Sequence, residues 1–447
     1  MILEQLRLKH PRLIYKKYAI TQGADTITID YEFLLEPDIV FRPTVSIPFF
    51  GLIETDFLAP HAFNLGLVEA ISYWKTACPK ELVVEAGFLD REQMRFWYDL
   101  FLHGLGEFFY RNKIDFSQKD FLTITALKSP DIQYTKPEIQ SSGDLVLVGG
   151  GKDSAVTLGI LKKSDRTIQT MVLNPTQAAL DLCRISGYNK PIVIKRTMDP
   201  VLFSLNDSGY LNGHTPFSAY LAFLGSMVAA LYGYEYVIVS NERSANEGNV
   251  MYRGMEINHQ YSKSFRFEEA FRTQHPSYFS LLRPLNDIQI SMLFAQFPQF
   301  FQSFRSCNVG SKTNTWCGAC AKCAFTFLVF FPFLTYQDMM RIFGSDYFRN
   351  PAIVSLIREL VGLTPVKPFE CVGTRDESKL AVYLAVEHYR KEGVEIPEEI
   401  LKIKSDLAFT EQEVARLQEA CINNLGDTYN VPEEYQAILR KARERVN

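Results

Sequence analysis

Three consecutive glycines, Gly149, Gly150 and Gly151, run straight into Lys152-Asp153-Ser154, and no other feature restricts the fold of this chain as much. They lie between a short apolar run, 145–148, and a helical stretch, 154–162. A strand that ends in glycines and turns at once into a helix gathers backbone N–H groups around a concavity. The helix N-terminus adds its positive dipole end, so the turn suits phosphate. Ser154 offers a hydroxyl and Lys152 a cation. The order is not the Walker order, because no Gly-Lys-Ser/Thr follows a four-residue spacer. The plain alternative is a glycine turn that merely joins strand to helix.

Beyond this loop the pattern keeps alternating. Strands are predicted at 168–173, 191–194 and 236–240, and helices at 177–186 and 218–231. Apolar strands alternating with helices predict a parallel sheet covered on both faces. Such sheets bind ligands at the carboxyl ends of their strands, which directs attention to the loops after Val148, Leu173, Ile194 and Ser240. Before it, residues 1–140 read as an α+β region, with strands at 27–31 and 45–48 and helices at 65–76 and 90–110, the last capped by Asp90. The expected organisation is therefore 1–140, 141–325 and a mainly helical 326–447.

Four of the eight cysteines cluster: Cys307, Cys317, Cys320 and Cys323. No signal-peptide core opens the chain and no apolar run is long enough for a membrane helix, so a cytoplasmic location with reduced thiols is expected. Under those conditions two Cys-x-x-Cys steps predict a closed tetrahedral zinc site, with Gly318 easing the turn between ligands. A redox pair at Cys320/Cys323 and an iron–sulfur cluster are the alternatives. Lys and Arg number 47 and Asp and Glu 51, a net charge of −4, which disfavours a dedicated nucleic-acid binder.

Three further segments carry candidate chemistry. The string 240–249, Ser-Asn-Glu-Arg-Ser-Ala-Asn-Glu-Gly-Asn, follows a predicted strand, so Glu242 and Asn246 are placed to meet Mg²⁺-phosphate or a substrate carboxylate. His259 and Lys263, four apart, would share a helix face and could act as an acid/base pair. His214 is a weaker candidate of the same kind. Cys371, in Lys-Pro-Phe-Glu-Cys-Val-Gly-Thr, is the one other thiol in a functional context, against the plainer reading of buried filler.

The glycine string resembles the PP-loop of the ATP pyrophosphatases, Ser-Gly-Gly-x-Asp-Ser, with Gly149 in place of the leading serine. That resemblance implies a PP-loop α/β core at 141–325, ATP cleavage between the α- and β-phosphates, and adenylation of a substrate oxygen. Across roughly 65–375 the strings AISYWK, GLGEFFYRN, GYLNGHTPFSA, SNERSANEGNV, NHQYSKS, YFSLLRPL, WCGACAKC and KPFECVGT are similar to those of the UDP-N-acetylmuramoyl-L-alanyl-L-glutamate epimerase family. This second resemblance implies an ATP- and Mg²⁺-dependent enzyme of peptidoglycan precursor synthesis. It would invert the terminal L-glutamate of UDP-MurNAc-L-Ala-L-Glu to D-glutamate, release AMP and pyrophosphate, and pair functionally with the ligase that adds that glutamate. The N-terminal region would recognise the nucleotide-sugar peptide. His259 and Lys263 are then the chosen acid and base, with Cys371 in reserve. The rival readings are an adenylating enzyme of the queuosine-precursor synthase type, which has a similar cysteine cluster, and a tRNA-modification protein.

Overall fold

The structure, a computed structural model, describes residues 2–53, 55–127, 143–426 and 429–444. The expected boundary at 140–141 lies outside the described residues. In chain order the strands are β1 (Arg12–Gln22), β2 (Thr26–Leu35), β3 (Ile39–Phe41), β4 (Thr44–Pro48), β5 (Glu81–Phe88), β6 (Thr123–Leu127), β7 (Asp144–Leu147), β8 (Ile168–Leu173), β9 (Ile192–Thr197), β10 (Val237–Val239), β11 (Val250–Tyr252), β12 (Met255–Ile257) and β13 (Tyr278–Ser280). Beyond β13 every regular element among the described residues is helical.

Eleven strands form one sheet in the order β13-β10-β7-β8-β9-β4-β2-β1-β5-β6, with β3 paired to β2. The five from β13 to β9 are all parallel. Numbered from β7 their order is 3-2-1-4-5, the doubly wound arrangement, and the order reverses between β7 and β10. The parallel sheet is thus present as expected, but it is part of a larger mixed one. Strand β4 adds antiparallel to β9 through Thr44↔Thr197 and Ser46↔Lys195, and the N-terminal strands continue outward from there. Backbone groups on the outer edge of β9 are thereby satisfied by chain from the N-terminal region.

Side-chain alternation divides the interior into two cores. Leu145, Leu147, Val237 and Val239 face one, packed with the helices Thr55–Trp74, Arg91–Gly104 and Phe217–Tyr232. Val146, Val148, Ile238 and Phe279 face the other, with the helices Lys152–Leu161, Asp287–Phe294 and Ala321–Phe330. Adjacent residues on a strand point to opposite faces, so these short apolar strands are buried on both. The helix Phe217–Tyr232 is buried along most of its length, with Phe217 exposed at its start, and is apolar on nearly every side, as its sequence indicates. No described helix is long and apolar enough to cross a membrane.

Two local expectations change. The predicted helix 90–110 is two helices, Arg91–Gly104 and Gly106–Arg111, with Asp90 capping the first in a reciprocal box with Gln93. The break falls at Leu105, at φ −99° and ψ 12°, and the glycines on either side are closely packed: a Cβ on Gly104 would lie 2.9 Å from Pro216, and one on Gly106 3.2 Å from Ile257. Segment 259–263 is not an α-helix, so His259 and Lys263 share no helix face. A hairpin, β11–β12, turns on Arg253 and Gly254, both at positive φ. Asn258 then accepts the Gln260 N–H at 2.7 Å, and only a short 3₁₀ turn, Tyr261–Lys263, intervenes before Ser264 caps the helix Phe265–Arg272.

Candidate active site

The glycine loop leaves β7 at the switch point. Gly150 has φ +89°, and a Cβ there would meet the Ala179 backbone nitrogen at 2.8 Å, so only glycine fits this turn. Gly151 precedes the first helical residue, Lys152. Ser154 Oγ accepts the Gly149 N–H at 3.0 Å. The loop is clamped from the cysteine segment: Arg305 N–H donates to Gly150 O at 2.9 Å, and Lys152 N–H donates to Ser306 Oγ at 3.0 Å.

Adjacent parallel strands deliver acidic groups to the same edge. Glu242 follows β10, and Asp287 opens the helix after β13. Lys152 Nζ donates to Asp153 Oδ1 at 2.5 Å and to Asp287. Burial works against the charged lysine, but Asp153, Asp287 and Glu242 outweigh it and keep Lys152 protonated. Glu377, itself buried, accepts the Asp287 N–H at 2.5 Å and the Ser244 hydroxyl at 2.9 Å, so the acidic loops are tied together. Glu242 is 4 % exposed and its Oε2 has no hydrogen-bond partner among the described residues. Burial, with Asp153 and Cys371 adding repulsion, raises its pKa against the pull of Lys263 and Lys152. An unpaired buried carboxylate oxygen beside a phosphate-suited loop is a group prepared for a ligand.

A second cluster adjoins the first. Glu107 Oε2 meets His259 Nδ1 at 2.5 Å, and Glu107 Oε1 accepts from Arg111 at 2.5 Å. The His259 N–H is held by Asn249 Oδ1 at 2.8 Å. Gln260, next to His259, donates to the carbonyl of Val372, next to Cys371, at 3.0 Å, which brings the ring and the thiol into one neighbourhood. Burial opposes the imidazolium, yet Cys371 and Glu107 together raise His259 to about 9. Burial likewise opposes the thiolate, and Lys263, Lys322 and His259 overcome it, holding Cys371 well below the ordinary thiol range. Lys263, despite burial, stays protonated beside Cys371, Glu242 and Asp153. The His214 ring lies tilted against that of His259, with centroids 4.2 Å apart, and burial pushes it down to about 3. Cys371 is fixed on both sides: Glu370 accepts from Asn308 at 2.6 Å, and Val372 O accepts from Gln260 at 3.0 Å. A Cβ on Gly373 would reach Asp287 Oδ2 at 2.9 Å, so this strap lies directly on the first cluster.

Glycine loop, Glu242, His259, Lys263 and Cys371 are therefore brought together. Asn246 is used otherwise: it is exposed, and its Oδ1 accepts the Phe265 N–H at 2.8 Å. Sequence reasoning passed over Glu107, Asp287 and Arg283. Glu107 carried a signal, a carboxylate set among Gly106, Phe108 and Phe109. Asp287 sits in a readable capping box, Asn286 with Gln289, where an acid looks like an ordinary helix start.

The cysteine cluster could hold a metal ion: all four sulfurs lie within 4.8 Å of one another. Zinc at about 2.3 Å from four sulfurs sets them about 3.8 Å apart. Cys307 and Cys320 are 3.9 Å apart, and Cys317 and Cys323 are 3.7 Å apart. Gly318, at φ +61°, makes the turn between ligands. Glu107, His214 and His259 also converge, but a nitrogen and an oxygen 2.5 Å apart make a hydrogen bond, since two ligands of one ion sit farther apart.

A doubly wound α/β enzyme with a phosphate-suited loop at its switch point, and thiol, imidazole and ammonium groups beside it, is the class these features define. The chain belongs to the MurL epimerase family. Residues 5–281 match the family's N-terminal domain and 302–415 its C-terminal domain. The UDP-N-acetyl-alpha-D-muramoyl-L-alanyl-L-glutamate epimerase of Micromonospora sp. is 35 % identical over 335 residues, 72 % of this chain and 74 % of the relative. That of Salinispora tropica is 34 % identical over 344 residues, 72 % of each. That of Xanthomonas oryzae pv. oryzae is 31 % identical over 388 residues, 82 % of this chain and 84 % of the relative.

Proposed function

We propose that this protein inverts the terminal L-glutamate of UDP-MurNAc-L-Ala-L-Glu by an ATP-dependent route through an acyl-adenylate, releasing AMP and pyrophosphate. The observation that carries the reading is the convergence of the glycine loop and the Cys371–His259–Lys263 cluster on one edge of the sheet. The α-proton next to a free carboxylate is hard to remove, because the resulting carbanion would sit beside an anion. Adenylation cancels that charge and makes the carbonyl electron-withdrawing.

The loop 149–154 holds the nucleotide phosphates, with Lys152 as cation and Ser154 as hydroxyl donor. Asp153 and Glu242 are the carboxylates for Mg²⁺ accompanying the nucleotide, and the unpartnered Glu242 Oε2 supports that role. His259 and Lys263 carry the protons of the inversion. Their surroundings favour the protonated form of both, and the nearby Lys263 and His259 favour the thiolate of Cys371. An open cavity of about 470 Å³, lined by Arg111, Lys367, Phe369 and Glu370, adjoins this cluster and is suited to the peptide end of the substrate. The four cysteines hold zinc in a structural role, closing the segment that clamps the glycine loop.

The test is proton exchange in D₂O. With ATP and Mg²⁺, the glutamate α-position should gain deuterium as it inverts, with AMP and pyrophosphate formed together. Label entering without ATP, or ADP and phosphate as products, defeats the reading.

A further inference from the structure

We propose that Cys371 accepts the glutamyl group from the adenylate, so that inversion takes place on an enzyme-bound thioester. The proposal rests on the adenylation reading above and gives Cys371 a covalent role in it.

Glu107, His259 and Cys371 come from three separate parts of the chain. The Glu107 carboxylate orients the His259 ring through Nδ1, and the bond from Gln260 to Val372 O brings the strap bearing Cys371 alongside, the carboxylate–imidazole–thiol grouping of an activated nucleophile. The His259 backbone is anchored by Asn249, and the residues flanking Cys371 are anchored by Asn308 and Gln260. The thiol is half-buried, beside the loop where the adenylate would form. Lys263 and Lys322 flank it with positive charge. A thiolate stabilised in this way is a poor proton base but keeps much of its reactivity toward carbon. Abstraction of an α-proton calls for the opposite balance.

The Cys371 thiolate attacks the glutamyl carbonyl. A C–S bond forms, the C–O bond to the phosphate breaks, and the electron pair leaves on AMP. Acylation also removes the anion that held the His259 proton, so that proton passes to water and His259 becomes a base. It takes the α-proton from the thioester, whose carbonyl stabilises the enolate. The Lys263 ammonium returns a proton to the opposite face. Water then attacks the thioester, forming a C–O bond, breaking the C–S bond and regenerating the thiolate, while His259 and Lys263 re-equilibrate through solvent. The base thus comes into being only after activation, which couples the two half-reactions.

The experiment uses the full chain with UDP-MurNAc-L-Ala-L-Glu, ATP and Mg²⁺, acid-quenched over the first turnover and digested for mass spectrometry. Exchange of labelled pyrophosphate into ATP is followed in parallel. The expected result is an adduct of substrate mass less water on the peptide containing Cys371, discharged by neutral hydroxylamine. Cys371→Ala should carry no adduct, and inversion should fall by at least about 10²-fold. Pyrophosphate exchange and product formation with no adduct at any time point overturn the thioester and leave adenylation standing. Inversion by Cys371→Ala at the wild-type rate overturns it as well. Absence of exchange in the wild type overturns the adenylation reading, and the thioester with it.

Discussion

Arg283 should be the most damaging single position outside the reacting groups. Its side chain and that of Glu268 are each 1 % exposed and paired at 3.0 Å. The same guanidinium donates to Glu242 O at 2.7 Å and to Lys263 O at 2.6 Å, so it pins two residues of the site by their backbones. Arg283→Met keeps the bulk and removes five donors. Stranding a buried carboxylate costs about 3–5 kcal/mol. Each carbonyl left without a donor adds about 1–3 kcal/mol. With partial relaxation the loss should be of order 5 kcal/mol, comparable to the whole stability of many proteins. Adding Glu268→Leu removes the stranded charge and should restore most of the first term. Urea denaturation followed by tryptophan fluorescence measures both. The double variant should fold, yet lose pyrophosphate exchange, because residues 242 and 263 are no longer tethered. A cost below about 1 kcal/mol for Arg283→Met, or a double variant less stable than the single, refutes this reasoning.

Gly150→Ala should be destabilised by at least about 1–3 kcal/mol from its left-handed backbone and should lose nucleotide-dependent activity; thermal unfolding that matches wild type sinks the cradle geometry. Asp153→Ala and Ser154→Ala should each slow pyrophosphate exchange about 10²–10³-fold, and unchanged exchange removes them from the phosphate site. Elemental analysis should find one zinc per chain, and Cys320→Ser should lose both the metal and stability; iron in the native protein contradicts the assignment. His259 is raised from 6.5 to about 9, so the stabilisation from its charged pairing is complete below about pH 6.5 and fades as pH climbs through 9. Alkylation mapped to Cys371 should therefore change little between pH 6.5 and 8, where an ordinary thiol near 8.5 speeds up about twentyfold. A tenfold rise there is incompatible with a resting thiolate.

The parts legible in the sequence were those written locally. Glycines at a strand end, apolar runs bounded by turns and two Cys-x-x-Cys steps each encode their geometry within a few residues. The join between β4 and β9 was not legible, because it pairs residues near 45 with residues near 196 and neither strand marks its partner. His259 and Lys263 were chosen for a helical spacing the chain does not adopt; Asn258 and Ser264 supply turn and cap chemistry that competes with a continuous helix. They meet instead through Cys371, more than a hundred residues away in sequence. Asn246 is a candidate through its place in a polar loop after a strand, and that place does not tell a ligand from a residue bracing Phe265. Glu107 falls inside the predicted helix 90–110; the break at Leu105 puts it on a separate short helix, where it meets His259, 152 residues away in sequence.

The clamp on the glycine loop has a consequence for how this protein is made. Lys152 N–H is satisfied by Ser306, 154 residues later in the chain. At translation rates of about 5–20 residues per second, the loop waits roughly 8–30 s for that partner to be synthesised. Tyr435, which hydrogen-bonds Asp144 at the base of the loop-bearing strand, is made later still. The nascent chain therefore exposes three glycines and a buried-type lysine without their counterparts. On the proposed reading, competence to bind nucleotide is acquired only after the cysteine segment has emerged and Ser306 has reached the loop.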